Sequence, residues 1–432
     1  MKKSNKRKII SVVVFIVFAA FFAFGAYQAY MHYKNVQTKK EINEHQNEKG
    51  QVAIVSTKDV EKMFYKPDKY YRVGHWNILN FGGKSSNKNN VKVQAIAEAI
   101  YKTKQDVIGL TEINYGDGDK VQRILDVLNS INNNNSYNLI VQSTDDSNEW
   151  SNKGTREQIA IIYNKNKVNL LPFNNSKKGL SYGDTQKFKN EKNEEVSMKR
   201  PLYGSLFETI DTKNCFVAFF GHLDSPDVKA KKSDKHPKEQ KSQYKDQGTQ
   251  EIAEAKQIAK AFKFYEQNSP ENTSIIFGGD TNIKTHNNNL FNLPEFKDNN
   301  IKNYYGNMNI YKKQAAKSWE QYEYYETSLG TKKGYANAYD KLLFLEKPNI
   351  DIIDEEEKIN SIISDNEKKY SSVSFKADIA NGFNNGLWDR EKYKKLWQQN
   401  SSQNTNYPGD FKLIRTKISD HAPIWVDFVI TK

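Results

Sequence analysis

Tyr71-Arg72-Val73-Gly74-His75-Trp76-Asn77-Ile78-Leu79-Asn80, then Val93, Ile96, Ala97 and Ile100, then Asp106-Val107-Ile108-Gly109-Leu110-Thr111-Glu112, is the stretch on which the fold turns. The first segment has the make-up of a strand. The four apolar residues that follow recur at helical spacing. The third segment is a short apolar run ending in an acid. Strand, helix, strand is the opening of an α/β domain. Working outward, strands are predicted over Gln158 to Asn164, Leu202 to Ile210, Phe216 to His222, Ser274 to Gly279, Tyr339 to Leu345 and Ala422 to Ile430. A second amphipathic helix is predicted near Gln250 to Glu266, with Ile252, Ala255, Ala259 and Phe262 on one face. Polar stretches separate these elements at Asn174 to Ser197, Asp227 to Gln247, Lys284 to Lys333 and Lys347 to Asp410. Loops of that length are unusual in a compact domain. The last two carry several tyrosines and tryptophans and are expected to hold local structure. No internal repeat is visible.

The 432 residues suffice for one large domain or two ordinary ones. Apolar residues make up 37%, enough for a core but low enough to imply much polar loop. The formal net charge of +13 suits a partner rich in phosphate, and equally a lysine-rich solvated surface. Cys215 is the single cysteine, so an intramolecular disulfide and a multi-cysteine zinc site are both excluded. It lies in an apolar run and reads as a small core residue.

At the N-terminus, Lys2, Lys3, Lys6, Arg7 and Lys8 precede an uncharged apolar run from Ile9 to Tyr27. That is the length of a helix crossing a bilayer core. Positive charge before it predicts a cytoplasmic N-terminus and an exported remainder. The expected organisation is a basic cytoplasmic segment 1–8, a transmembrane signal-anchor 9–27, a stalk or linker 28–69, and a catalytic domain 70–432 with long polar insertions. Tyr27 and Tyr30 fit an interfacial position. Ala23, Gly25, Ala26 and Ala29 supply small residues for the alternative, a cleaved signal peptide and a secreted protein. No cysteine closely follows the run, which excludes bacterial lipid attachment.

The chemistry-bearing residues fall at the ends of predicted strands, where a sheet holds side chains rigidly at a surface. Asn77 ends the first strand and Glu112 the second. Asp280 and Asn282 alternate beyond Gly279, an arrangement that points both to one side of an extended segment. Asp340 opens a strand, Asp420 and His421 precede one, and His222 ends one. Carboxylate and amide oxygens suit a hard divalent cation, Mg²⁺ first, with Mn²⁺ or Ca²⁺ as alternatives. Such an ion stabilises charge on a phosphoryl group, and histidine paired with carboxylate moves protons. Singly, each residue has an ordinary structural explanation as a turn, a cap or a satisfied buried histidine. The ensemble is what points to phosphodiester hydrolysis.

The motifs Trp76-Asn77-Ile78, Leu110-Thr111-Glu112-Ile113, Gly221-His222-Leu223-Asp224-Ser225-Pro226, Gly279-Asp280-Thr281-Asn282, Tyr339-Asp340-Lys341 and Ser419-Asp420-His421-Ala422-Pro423 resemble the endonuclease/exonuclease/phosphatase superfamily. The resemblance runs from about Arg72 to Ile430. It implies an α/β (α+β) fold, a four-layer sandwich of two mixed β-sheets flanked by helices, with the site at one edge. The deoxyribonuclease I-like branch is the nearest in pattern. It implies two catalytic histidines each supported by a carboxylate, His222 with Glu157 and His421 with Asp340, and a phosphate-contacting arginine at Arg200. Asn77 and Glu112 would hold a metal with Asp420 nearby. Asp280 and Asn282 would hold phosphate or a second metal and help place the attacking water. Anchor, stalk and basic loops together resemble the membrane nucleases of mycoplasmas.

The resemblance thus implies a metal-dependent nuclease, an endonuclease acting on DNA, with RNA left open as a second substrate, its catalytic domain outside the cell membrane and no obligate protein partner. Lys231, Lys232, Lys235 and Lys238, in the lysine-rich loop after His222, are candidate nucleic-acid contacts, and Tyr244 a candidate stacking residue. The alternative within the superfamily is a sphingomyelinase-type phosphodiesterase, since fold alone does not settle substrate. A non-catalytic adhesin would have lost site residues, and none is lost.

Overall fold

The computed structural model describes residues 64–431, apart from 88, 147–154, 184, 227–239, 305–324, 332–333, 354–374 and 401–405. The predicted cytoplasmic segment, the anchor and residues 28–63 of the linker lie outside the described residues, as do Lys231, Lys232, Lys235 and Lys238. No described helix is long and apolar enough to cross a membrane.

In chain order the main elements are β1 (Tyr70–Phe81), α1 (Val91–Lys102), β2 (Val107–Asn114), α2 (Gln122–Asn132), β3 (Tyr137–Val141), β4 (Glu157–Asn164), β5 (Val168–Leu171), β6 (Leu180–Tyr182), β7 (Lys187–Lys189), β8 (Glu195–Ser197), β9 (Leu202–Thr209), β10 (Cys215–His222), α3 (Thr249–Gln267) and β11 (Ser274–Asp280). They continue with β12 (Lys302–Asn303), β13 (Ser328–Leu329), β14 (Tyr335–Asn337), β15 (Asp340–Leu345), β16 (Ile350–Ile353), α4 (Arg390–Asn400) and β17 (Ile424–Ile430). One six-stranded sheet has the order β16-β17-β1-β2-β4-β3. A seven-stranded sheet has the order β12-β15-β11-β10-β9-β5, with β6 also on β9. Both are mixed: β1–β2 and β10–β11 are parallel and their other pairs antiparallel.

Three apolar clusters make the layers. Tyr71, Val73 and Ile161 of the first sheet meet Phe207, Phe216 and Phe220 of the second in the central layer. The other face of the first sheet packs Ile108 and Ile162 against Ile96 and Ile100 of α1 and Leu128 of α2. The other face of the second packs Phe219 and Phe277 against Ile258 and Phe262 of α3. Helices, sheet, sheet, helix is the expected sandwich.

The polar stretches are more structured than their composition suggests. Asn174 to Ser197 contains β6 and the β7–β8 hairpin. Within Lys347 to Asp410, Leu387, Trp388 and Tyr393 enter the core, and the Trp388 indole donates to the Ala95 carbonyl at 3.0 Å. The folded unit also begins before Tyr70. Phe64 is buried edge-on against Trp425, at 6.2 Å between ring centroids, and Lys66 pairs with buried Asp106. Arg72 reaches back to the Phe64 and Tyr65 carbonyls while gripping Asp427 through Nε and Nη2 at 2.7 and 3.0 Å. A short apolar group such as Met63-Phe64-Tyr65 in a polar stretch gives no periodic signal, which is why these residues read as linker.

Candidate active site

Strand register alone sets three predicted residues abreast. His222 stands opposite Asp280 across the parallel pair β10–β11, and Asp280 opposite Asp340 across the antiparallel pair β11–β15. The facing sheet contributes Asn77 from β1 and Glu112 from β2. These two are not at strand ends, as expected from sequence, but at irregularities inside longer strands. Pairing of β1 with β2 shifts between Asn77 and Phe81, and that of β2 with β4 between Leu110 and Ile113. Leu79, Asn80 and Glu112 take positive φ angles of 52°, 48° and 59°. A bulge kinks a strand and re-aims its side chains, and left-handed non-glycine residues cost about 1–3 kcal/mol each. The cost is offset by bonds made only there. The Leu79 N–H donates to Asn77 Oδ1 at 3.0 Å and the Asn80 N–H to Glu112 Oε2 at 2.9 Å. Buried Lys92 of α1 donates its ammonium to the carbonyls of Ile78 (2.7 Å) and Leu79. Burial lowers the Lys92 pKa to about 7, with Glu112 and Asp420 pulling the other way.

The Ser419-Asp420-His421 turn is fastened to the same strand. Ser419 Oγ donates to the Asn77 carbonyl at 2.6 Å, and the Trp76 indole to the His421 carbonyl at 2.6 Å. This explains two residues of the recognised motifs whose chemistry was not evident from sequence.

Both histidine–carboxylate pairs are formed. His222 Nδ1 lies 2.7 Å from Glu157 Oε2, and His421 Nδ1 lies 2.7 Å from Asp340 Oδ2. The opposite nitrogens converge on one atom, Asp280 Oδ2, at 3.7 Å from His222 Nε2 and 3.6 Å from His421 Nε2. The Asn77 amide donates to that same oxygen and to Glu112 Oε1, both at 2.9 Å. Burial opposes charge on each histidine, and Arg200 opposes it on His222. Even so, Glu157 and Asp280 raise the His222 pKa, and Asp340 and Asp280 carry that of His421 well above the ordinary value. The acids move the other way. Burial is outweighed by Arg200 and His222 at Glu157, and by His421 at Asp340, which stays far below the carboxylate range.

Three residues differ from expectation. Arg200 is buried, and its donors go to protein: Nε to the His222 carbonyl at 2.8 Å, Nη2 to the Leu223 carbonyl at 2.7 Å and Nη1 to the Thr155 carbonyl at 3.3 Å. Nη1 also lies 3.6 Å from Glu157 Oε1. It clamps the strand end that carries His222, where the resemblance implied a phosphate contact. Asn282 does not continue an extended segment. Its φ is +53°, its N–H returns to Asp280 Oδ1 at 3.0 Å, and its side-chain amide donates to the Leu223 carbonyl at 3.0 Å. Tyr244, a candidate stacking residue, instead packs against the apolar layer around α3.

The donor set fits a divalent cation. Glu112, His222 and Asp280 form one group of mutually close ligand atoms, and Asp280, Asp340 and His421 another. Asp420 Oδ1 is buried without a hydrogen-bond partner among the described residues. Burial raises the Asp420 pKa, His421 opposes this, and Glu112 and Asp280 add to it. Clustered acids of this kind gain from a hard cation bound to their oxygens.

Sequence reasoning overlooked Thr327, whose hydroxyl donates to Asp340 Oδ2 at 2.6 Å, along with Lys92 and His75. Only His75 carried a signal, as a histidine two residues before Asn77.

No protein-family model matches the chain. A curated protein of Mycoplasma pneumoniae, described as uncharacterized, is 35% identical over 148 residues. The match takes in 34% of this chain and 26% of that protein, so it spans about a quarter of the relative's length. Among solved structures, an endonuclease/exonuclease/phosphatase family protein of Bacteroides thetaiotaomicron superposes with a TM-score of 0.46 at 14% identity, over 84% of this chain and 98% of that one. The human Nocturnin catalytic domain with bound sulfate gives 0.44 at 13% identity, over 84% and 95%. A mannosyl-6-phosphatase of Bacteroides thetaiotaomicron gives 0.44 at 13%, over 84% and 100%.

Proposed function

We propose that this chain is a divalent-metal-dependent phosphodiesterase that degrades nucleic acid outside the cell, with DNA as the substrate to test first and RNA as the alternative. The observation that carries the reading is the convergence of His222 Nε2 and His421 Nε2 on one Asp280 oxygen, each ring backed by its own carboxylate. Asn77, Glu112, Asp280 and Asp420 would hold the metal, Mg²⁺ in the first instance. When bound, a divalent cation polarises a phosphoryl oxygen and offsets the charge of the transition state. One histidine takes the proton from water at Nε2 as the water oxygen attacks phosphorus. The other gives its Nε2 proton to the leaving oxygen as the old P–O bond breaks, and either assignment satisfies the geometry. Glu157 and Asp340 hold the Nδ1–H of each ring and stabilise its charged form.

Nucleic acid is favoured as substrate by the +13 charge and by a surface beside the site. The Arg156 guanidinium lies 5.7 Å from the centre of the exposed Tyr115 ring, and these residues adjoin Glu157 and follow Glu112. A cation on an aromatic face suits a base and its phosphate. For the sphingomyelinase alternative, the large apolar side chains exposed among the described residues are Tyr101, Tyr115 and Ile210. They are scattered and form no lipid-entering hairpin. The N-terminal segment would keep the enzyme at the membrane with its catalytic domain outside, serving nucleotide scavenging or defence against host DNA traps.

The test is cleavage of supercoiled plasmid by the full-length protein with Mg²⁺, with EDTA, and in the His222→Ala form. Cleavage should vanish with EDTA and fall ~10²–10⁴-fold without the imidazole. Activity that persists in EDTA would refute the reading. Absence of plasmid cleavage together with sphingomyelin hydrolysis would replace the substrate.

A further inference from the structure

Between the two sheets lies a histidine to which the mechanism above gives no task. His75, on β1, is fully buried. Its Nε2 lies 3.0 Å from Thr111 Oγ1 on β2. Its Nδ1 lies 3.3 Å from Asp340 Oδ1 on the opposite sheet. Neither of these last two atoms has a hydrogen-bond partner among the described residues. A buried polar atom left alone costs about 1–3 kcal/mol, and more if charged. Two such atoms 3.3 Å apart therefore belong to each other. The second Asp340 oxygen is already engaged, by His421 Nδ1 at 2.7 Å and Thr327 Oγ1 at 2.6 Å.

We infer that His75 is a positioning residue: acting through Asp340, it fixes the plane and tautomer of His421. This rests on the reading of His421 as a proton-transfer group. His421 and Thr327 both bind Oδ2, and contacts to one oxygen leave the carboxylate free to turn about its Cβ–Cγ bond. A donor on Oδ1 removes that freedom. His75 Nδ1 must carry the hydrogen to serve there, so its Nε2 accepts from the Thr111 hydroxyl. The result is a chain Thr111–His75–Asp340–His421 that crosses from the first sheet to the second. It holds the His421 hydrogen on Nδ1 and leaves Nε2 facing Asp280. The close sheet approach needed for it is visible at Gly278, where an added Cβ would stand 2.8 Å from His75 Cβ.

The experiment compares His75→Leu, of similar bulk but without a donor, with His75→Asn, whose amide can place an N–H where Nδ1 stood. Two readouts are taken on full-length protein. The first is the low-field proton resonance of the His421 Nδ1–H bonded to Asp340, identified by its loss in His421→Asn. The second is kcat and KM for plasmid nicking. His75→Leu should shift or broaden the resonance and lower kcat about 10–100-fold, the usual effect of losing a residue that orients a site group. KM should hold, since nothing at His75 touches substrate. His75→Asn should recover the resonance and most of kcat. A Leu variant with the parent resonance and kcat within about twofold would overturn the inference. So would Asn and Leu variants equally impaired in step with their melting temperatures. If the parent cleaves no nucleic acid, the functional reading fails, and the resonance still decides whether His75 orders the Asp340–His421 pair.

Discussion

At the scale of single residues, Arg200 separates what a motif implies from what geometry assigns. Three of its bonds end on backbone carbonyls of His222, Leu223 and Thr155, and its charge faces Glu157. A lysine would keep the charge but lose the planar fork that reaches several acceptors at once. Arg200→Lys should therefore lower kcat about 10–100-fold while KM for plasmid changes little. A rise in KM at constant kcat would restore the phosphate-contact role. The partners of Arg200 are main-chain oxygens, which a sequence does not display, so its importance was legible and its task was not. The histidine pairs were legible in a different way. Their members lie 65 and 81 residues apart, so spacing could not match acid to histidine, and the family resemblance did. Strand-end placement marked Asp280 and Asp340 correctly because each sits where a strand meets a turn.

Among elements, the decisive features are the irregular turns of backbone in β1 and β2, and these were not legible. Asn77 and Glu112 were recognised as candidates, but an apolar run reads as a plain strand whether or not its register slips. The support comes from Lys92 on α1, whose ammonium holds the Ile78 and Leu79 carbonyls. In Lys92→Met those carbonyls lose their charged donor at similar side-chain volume, a loss of about 1–3 kcal/mol per unsatisfied group. Burial of the charge opposes this, so the net stability change in urea should be smaller than the sum. The rate should fall further than stability predicts, because the Asn80 N–H would no longer be held on Glu112 Oε2. Full activity in a Lys92→Met protein of reduced stability would show that the bulge holds without it. Elements missed outright include several without a periodic apolar face, and also α2, whose Ile124, Leu128 and Ile131 do recur at helical spacing. In α4, Arg390–Asn400, Tyr393 is the buried residue of eleven, and β3 and β5 are short strands with exposed positions. Strands with continuous apolar runs, such as β10 and β11, were bounded to within a residue.

At the scale of the whole molecule, the site exists because two sheets approach closely at one end, and glycines permit it. The four-layer arrangement was legible only through resemblance, since alternation along a strand says which face is buried but not against what. The structure supplies the reason. A Cβ on Gly109 of β2 would lie 2.1 Å from Phe220 Cγ of β10, inside the ring's contact distance. Gly109 precedes Glu112 by three residues and Phe220 precedes His222 by two, so this contact sets the distance between the two halves of the site. Gly109→Ala must push the ring aside or part the sheets, a cost of about 1–3 kcal/mol for overpacking. Phe220→Leu alone removes ring atoms from a packed layer and also destabilises. Combined, the smaller side chain makes room for the new methyl. The double variant should therefore be more stable than the sum of the singles requires, by about 0.5–3 kcal/mol of coupling. Plasmid nicking should recover in parallel, since the same contact sets both quantities. Strict additivity in urea unfolding would mean that other contacts hold the sheets apart, and that the juxtaposition of Glu112 with His222 is set elsewhere in the central layer.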